Sequence, residues 1–118
     1  MNNIDLLNNV KKIHFIGIGG SGMCPMAEIL NNEGFEITGS DIYESDTLER
    51  IRAIHIPVCI GHKKENVLGK DLIVYTAAVK KNNPELLAAK ELNIPAIERS
   101  VMLGLVTKRY NKSIAVSG

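Results

Sequence analysis

The six residues Gly17-Ile18-Gly19-Gly20-Ser21-Gly22 constrain what this chain can fold into more than any other feature. They satisfy G-x-G-x-x-G directly behind a short β-rich run, Ile13-His14-Phe15-Ile16. In front of them Met23, Met26, Ala27 and Leu30 recur at helical spacing. A strand that turns through glycines into a helix opens a βα unit of a parallel sheet. Gly17 permits the tight turn, Gly19 lets the backbone approach a diphosphate, and Gly22 allows close packing of helix on strand. The helix start offers N–H groups and a partial positive charge to an anion. In this setting the motif points to a diphosphate without naming the nucleotide.

The rest of the chain repeats the alternation. Strands are expected at 35–38 (ending at Gly39-Ser40-Asp41), 57–60, 72–75, 94–97 and 113–116. Gly34 closes the first helix, and Pro25 lies in its first turn, where a missing N–H costs little. Asp46 with Glu49 resembles a capping box for a second helix, and a short helix is expected over 62–68. Asn83-Pro84 is an N-cap followed by proline, and Ser100 is the expected cap of a last helix reaching Tyr110. Strands alternating with helices over short connections predict an α/β, Rossmann-like, doubly wound parallel sheet of about five strands, order 3-2-1-4-5, with helices on both faces. The ligand crevice then lies at the switch point between strands one and four.

That topology nominates further residues. Asp41 ends strand two about 20 residues past the third glycine, where a carboxylate accepts from ribose hydroxyls, and Ser40 precedes it. Capping of the loop by the same two residues is the alternative. His62 follows strand three on the ligand side and is suited to a base or ribose, or to a solvated helix start. Thr76, Ala77 and Ala78 follow strand four at the switch point, where small residues leave room for a bulky ligand and Thr76 offers a hydroxyl, or where they form a plain loop. Arg99 follows strand five, where it is suited to an anionic group or to the surface at a helix start. His14, mid-strand, reads as packed or edge-exposed, and Cys24 as a packing residue. No spacing suggests a nucleophile–base pair, a metal cluster or a carboxylate pair, so binding is legible and catalysis is not.

A net charge of +1 and the absence of Trp argue against a polyanion partner or base-stacking platforms, so no nucleic acid is expected. The cysteines form no CxxC and have no metal spacing with the histidines, and the chain opens without an apolar leader or any membrane-length apolar run. A reduced, cytoplasmic protein is the expectation.

The segment His14-Phe15-Ile16-Gly17-Ile18-Gly19-Gly20-Ser21-Gly22-Met23, followed by Ala27-Glu28-Ile29-Leu30 and Thr38-Gly39-Ser40-Asp41, resembles the start of Mur ligases in their alanine-adding form. Asn83-Pro84-Glu85, Ile94-Pro95, Arg99 and Met102-Leu103 extend the likeness, which runs from about Lys12 to Gly118. Cys24-Pro25 departs from the small residues usual there. The resemblance implies an ATP-dependent amide-forming ligase of peptidoglycan synthesis that phosphorylates the carboxylate of UDP-N-acetylmuramate and passes the acyl group to L-alanine. It implies Gly19, Gly20, Ser21, Gly22 and Met23 at the diphosphate, Ser40, Asp41 and His62 at the uridine end, Thr76 to Ala78 along the crevice, and Arg99 nearby. Residues 1–11 would be an extension, 12–112 the UDP-sugar-binding domain, and 113–118 the start of a central ATP-binding domain whose P-loop begins at Gly118. The chain would then be a fragment that binds substrate without catalysis and carries no cofactor, with ATP and magnesium held by the central and C-terminal domains. An NAD-binding domain of an oxidoreductase explains the glycines and Asp41 but not the ending in Ser117-Gly118. A regulatory nucleotide-sensing module is the third reading.

Overall fold

The computed structural model describes residues 9–20 and 22–114, with side chains to residue 107. Five strands form one sheet in the order β3-β2-β1-β4-β5, as expected from the alternation. They are β1 (Lys12–Ile16), β2 (Glu36–Asp41), β3 (Val58–Ile60), β4 (Leu72–Tyr75) and β5 (Ala96–Glu98). All pairings are parallel, and the central β1 lies between β2 and β4. The helices are α1 (Met23–Asn32), α2 (Asp46–Ala53), α3 (Pro84–Glu91) and α4 (Arg99–Ile114), with a 3-10 turn at Lys64–Val67. Among the described residues no helix is long and apolar enough to cross a membrane.

Side-chain alternation along the central strands sorts the core into two layers. Ile13 and Phe15 of β1, Ile37 of β2 and Leu72 and Val74 of β4 share one cluster with Met23, Met26, Ala27 and Leu30 of α1, Leu48 and Ile51 of α2 and Met102 of α4. Ile16 and Ile73 face the other way, onto Val67 and onto Ala88 and Ala89 of α3. Each fully buried large side chain contributes about 1.5–3 kcal/mol. His14 falls on that second layer. The register sets it beside Thr38, and Ile16 beside Ser40, so three polar side chains lie under α3.

Several expected boundaries shift for local reasons. Ser45, not Asp46, caps α2, because its Oγ accepts the N–H of Leu48. The helix expected over 62–68 is the shorter 3-10 turn. Asn83 caps α3 as expected, its Oδ1 accepting from Glu85 N. Ser100 is not a cap: α4 already begins at Arg99, and the Ser100 hydroxyl donates to Glu98 Oε1. No Gly or Pro interrupts residues 105–114, and α4 runs through to Ile114. Ser113 and Ile114, read as the start of a strand, are therefore helical; a helix satisfies its own backbone groups, whereas a strand needs a neighbour. The remainder of that expected strand lies outside the described residues.

Candidate functional site

At the switch point, the chain leaving β1 turns through the glycines into α1, and the chain leaving β4 runs across from it. Gly17 and Gly22 both sit at φ 80°, a left-handed conformation open to glycine at little cost. Gly17 and Ile18 donate to Ser40 O at 2.8 and 3.0 Å, tying the turn to β2. Gly20 N donates to Gly17 O, and Gly19 N donates to Asp41 Oδ2 at 2.9 Å. Asp41 Oδ1 takes Ile42 N. The carboxylate expected at a ribose thus holds the glycine loop, with lone pairs left over for a ligand.

A cleft of about 590 Å3 opens over this loop, within the range of about 300–1,000 Å3 usual for small-molecule sites. Gly17, Gly20, Asp41, His62, Thr76 and Ala78 line it together, as the topology required. Ile42, Val79, Lys80, Asn82, Asn83 and Pro84, which the sequence did not nominate for the site, complete the wall and rim. Their signal was available: all follow β2 or β4 at the switch point.

The other nominated residues are not among the described residues that line the cleft. A Cβ on Gly19 would meet Asp41 Oδ2 at 2.8 Å and Leu48 Cδ2 at 3.1 Å, so this glycine makes room for the carboxylate and α2. A Cβ on Gly22 would meet Arg99 Nη1 at 2.9 Å, which sets the guanidinium beside the start of α1. Met23 is fully buried in the core. Ala77 lines a separate cavity of about 600 Å3 with Tyr75, Leu86 and Ile94, on the β5 side and away from the glycine loop. Ser21 lies outside the described residues. Ser40 is fully buried, its Oγ donating to Glu85 Oε1 at 2.7 Å and lying 3.0 Å from His62 Nδ1.

Below the cleft is a buried polar cluster that sequence reasoning missed. Glu85 bonds His14, Ser40 and Asn66 side chains and Lys63 N. Burial pushes its carboxyl up, but hydrogen bonds from His14, Asn66 and Ser40, with the charge of His14, outweigh this and hold it below the usual range. His14 is therefore packed, its Nδ1 lying 2.8 Å from Thr38 Oγ1. Burial, and then the charge of Glu28, raise the Cys24 thiol, consistent with a packing residue and not a nucleophile. Among the described residues, no group of His, Cys, Asp and Glu is disposed to hold a metal ion.

A doubly wound parallel sheet with a glycine turn into a helix and an open cleft at its switch point defines a Rossmann-like α/β domain. Within that class, the chain belongs to the Mur ligase family: the family model described as "Mur ligase family, catalytic domain" matches residues 12–111. It is similar to the UDP-N-acetylmuramate–L-alanine ligase of Legionella pneumophila, with 50% identity over 95% of this chain and 24% of that protein. The ligase of the same name from a Sulfurihydrogenibium species is 52% identical over 92% of this chain and 24% of its own length. The crystal structure of UDP-N-acetylmuramate-alanine ligase MurC from Thermotoga maritima superposes with a TM-score of 0.80 at 35% identity, covering 83% of this chain and 23% of that one. The chain thus spans about a quarter of the length of the relatives it matches.

Proposed function

We propose that this chain is the UDP-N-acetylmuramate-binding domain of an ATP-dependent, cytoplasmic ligase that joins L-alanine to that sugar nucleotide in peptidoglycan synthesis. The observation that carries the reading is the 50% identity, over 95% of this chain, to a ligase of that name. The cleft supports it physically. The start of α1, with Arg99 beside it, suits a diphosphate, and Asp41 and His62, which line the cleft, suit the nucleoside end. The chain's part in the reaction is to bind and orient the substrate. The sequence has one Gly-Lys pair, Gly69-Lys70, and Asp71 follows it where a P-loop has Ser or Thr. By this reading ATP, magnesium and alanine fall to the central and C-terminal domains of the whole ligase, and this chain alone is expected to bind without catalysing.

Competition calorimetry tests the reading. UDP-N-acetylmuramate and UDP are expected to bind one site and displace each other, with NADH failing to compete. Saturable NADH binding without UDP binding would replace the ligase reading with that of a dehydrogenase-type domain.

A further inference from the structure

Glu85 sits in the first turn of α3, fully buried and outside the cleft lining. Its Oε1 accepts from His14 Nε2 at 2.8 Å and from Ser40 Oγ at 2.7 Å. Its Oε2 accepts from Lys63 N at 3.0 Å and from Asn66 Nδ2 at 2.8 Å. An ionised carboxylate only accepts, at about four lone-pair positions, so these four donors fill it, and His62 Nδ1 lies farther out, 3.5 Å from Oε2. The direction of the next bond follows. A serine hydroxyl has one proton, and here it goes to Glu85. Towards His62 Nδ1, 3.0 Å away, the Ser40 oxygen can then only accept. His62 therefore carries a proton on Nδ1. Its Nε2 has no partner among the described residues, where no unpartnered side-chain nitrogen is buried. That atom is accessible on a residue that lines the cleft. On a neutral ring protonated at Nδ1, Nε2 is a bare acceptor.

We propose that Glu85, acting through Ser40, is a positioning residue that fixes His62 in the Nδ1–H tautomer, so that Nε2 accepts a hydrogen bond from the nucleoside end of the ligand. The same carboxylate bonds Lys63 N and Asn66, clamping the segment that carries His62 against α3. The ligand donor is a ribose hydroxyl or the imide N–H of a uracil. The tautomer stands on geometry alone, whereas the ligand's identity rests on the nucleotide reading above.

Two measurements on the 15N-labelled chain test this. Long-range 1H–15N spectra, with His62→Phe to assign the ring, report which nitrogen carries the proton. Calorimetry with UDP, 2′,3′-dideoxy-UDP and N3-methyl-UDP reports the donor. The expected parent spectrum has Nδ1 protonated and Nε2 bare. Ser40→Ala, which removes one buried oxygen and should fold, is expected to move the proton population towards Nε2. It should also weaken UDP by about two- to tenfold, the size of a net neutral hydrogen bond. Glu85→Gln should do the same where it folds. The analogue lacking the true donor should bind the parent more weakly than UDP and lose nothing further in Ser40→Ala.

A parent His62 protonated at Nε2 would overturn the proposal, as would a folded Ser40→Ala with an unchanged tautomer. So would analogues that bind as well as UDP. A tautomer that responds as expected in a protein that binds no UDP leaves the positioning role standing and overturns the nucleotide reading instead.

Discussion

Asp41 Oδ2 accepts the backbone N–H of Gly19 at 2.9 Å, so the carboxylate ending β2 and the glycine loop after β1 behave as one unit. Removing that carboxylate has two separable consequences. Asp41→Ala should weaken UDP by about 1.5–3 kcal/mol, the size of a hydrogen bond to a charged group, or roughly one to two decades in Kd. The parent should also prefer UDP to 2′,3′-dideoxy-UDP, and the variant should lose the share of that preference that Asp41 carries. A part of the loss shared by both ligands reports the loosened loop; the lost preference reports a ribose contact. Calorimetry on all four combinations separates them. A variant that still discriminates as the parent does would leave Asp41 with the loop role alone.

Gly19 has no room for a side chain unless its neighbours shift. Its Cβ would collide with Asp41 and crowd Leu48, so Gly19→Ala should destabilise the fold by about 1–3 kcal/mol, an overpacking effect. Urea unfolding is the check. An unchanged midpoint would mean that α2 and the Asp41 loop give way freely.

The Glu85 carboxylate makes stability depend on pH. Its pKa is lowered on folding, so its contribution is fully present above the unfolded value of about 4.3 and is lost as pH falls through the lower folded value. Glu85→Gln keeps one acceptor oxygen for four donors, and should cost about 3–5 kcal/mol near pH 7. In acid the parent's own carboxyl becomes neutral, and the gap should narrow below pH about 4. Urea unfolding of parent and variant across pH 3–7 tests this. A gap that stays constant would show that the charge does not matter.

Arg99 lies beside Gly22 at the start of α1. Arg99→Ala should weaken UDP by about tenfold, leave uridine unaffected, and flatten the salt dependence of UDP binding. Equal losses for uridine and UDP, measured at two ionic strengths, would place its effect on the loop and not on the diphosphate.

The strands and the switch point were legible because the apolar runs at 13–16 and 72–75 and the glycine motif are local signals. The cleft followed from topology, which brought Asp41, His62 and Thr76 together from separate loops. The Glu85 cluster was not legible. Glu85 lies 71 residues from His14 and follows Asn83-Pro84, where an acid reads as an ordinary helix start. Only the register of β1 against β2 sets His14, Thr38 and Ser40 under α3. Gly19 was only half legible for a related reason: the motif says that a side chain is unwelcome, but only packing shows that Asp41 and Leu48 also exclude one.

The central claim is that a UDP-linked ligand occupies the switch-point cleft. Titrating UDP-N-acetylmuramate into the 15N-labelled chain, followed by amide chemical shifts, tests it most directly. The account predicts saturable shifts concentrated at Gly17, Gly20, Asp41, His62 and Thr76, reproduced in part by UDP. Shifts confined to the cavity around Tyr75, Leu86 and Ile94, or none at saturating ligand, would contradict it.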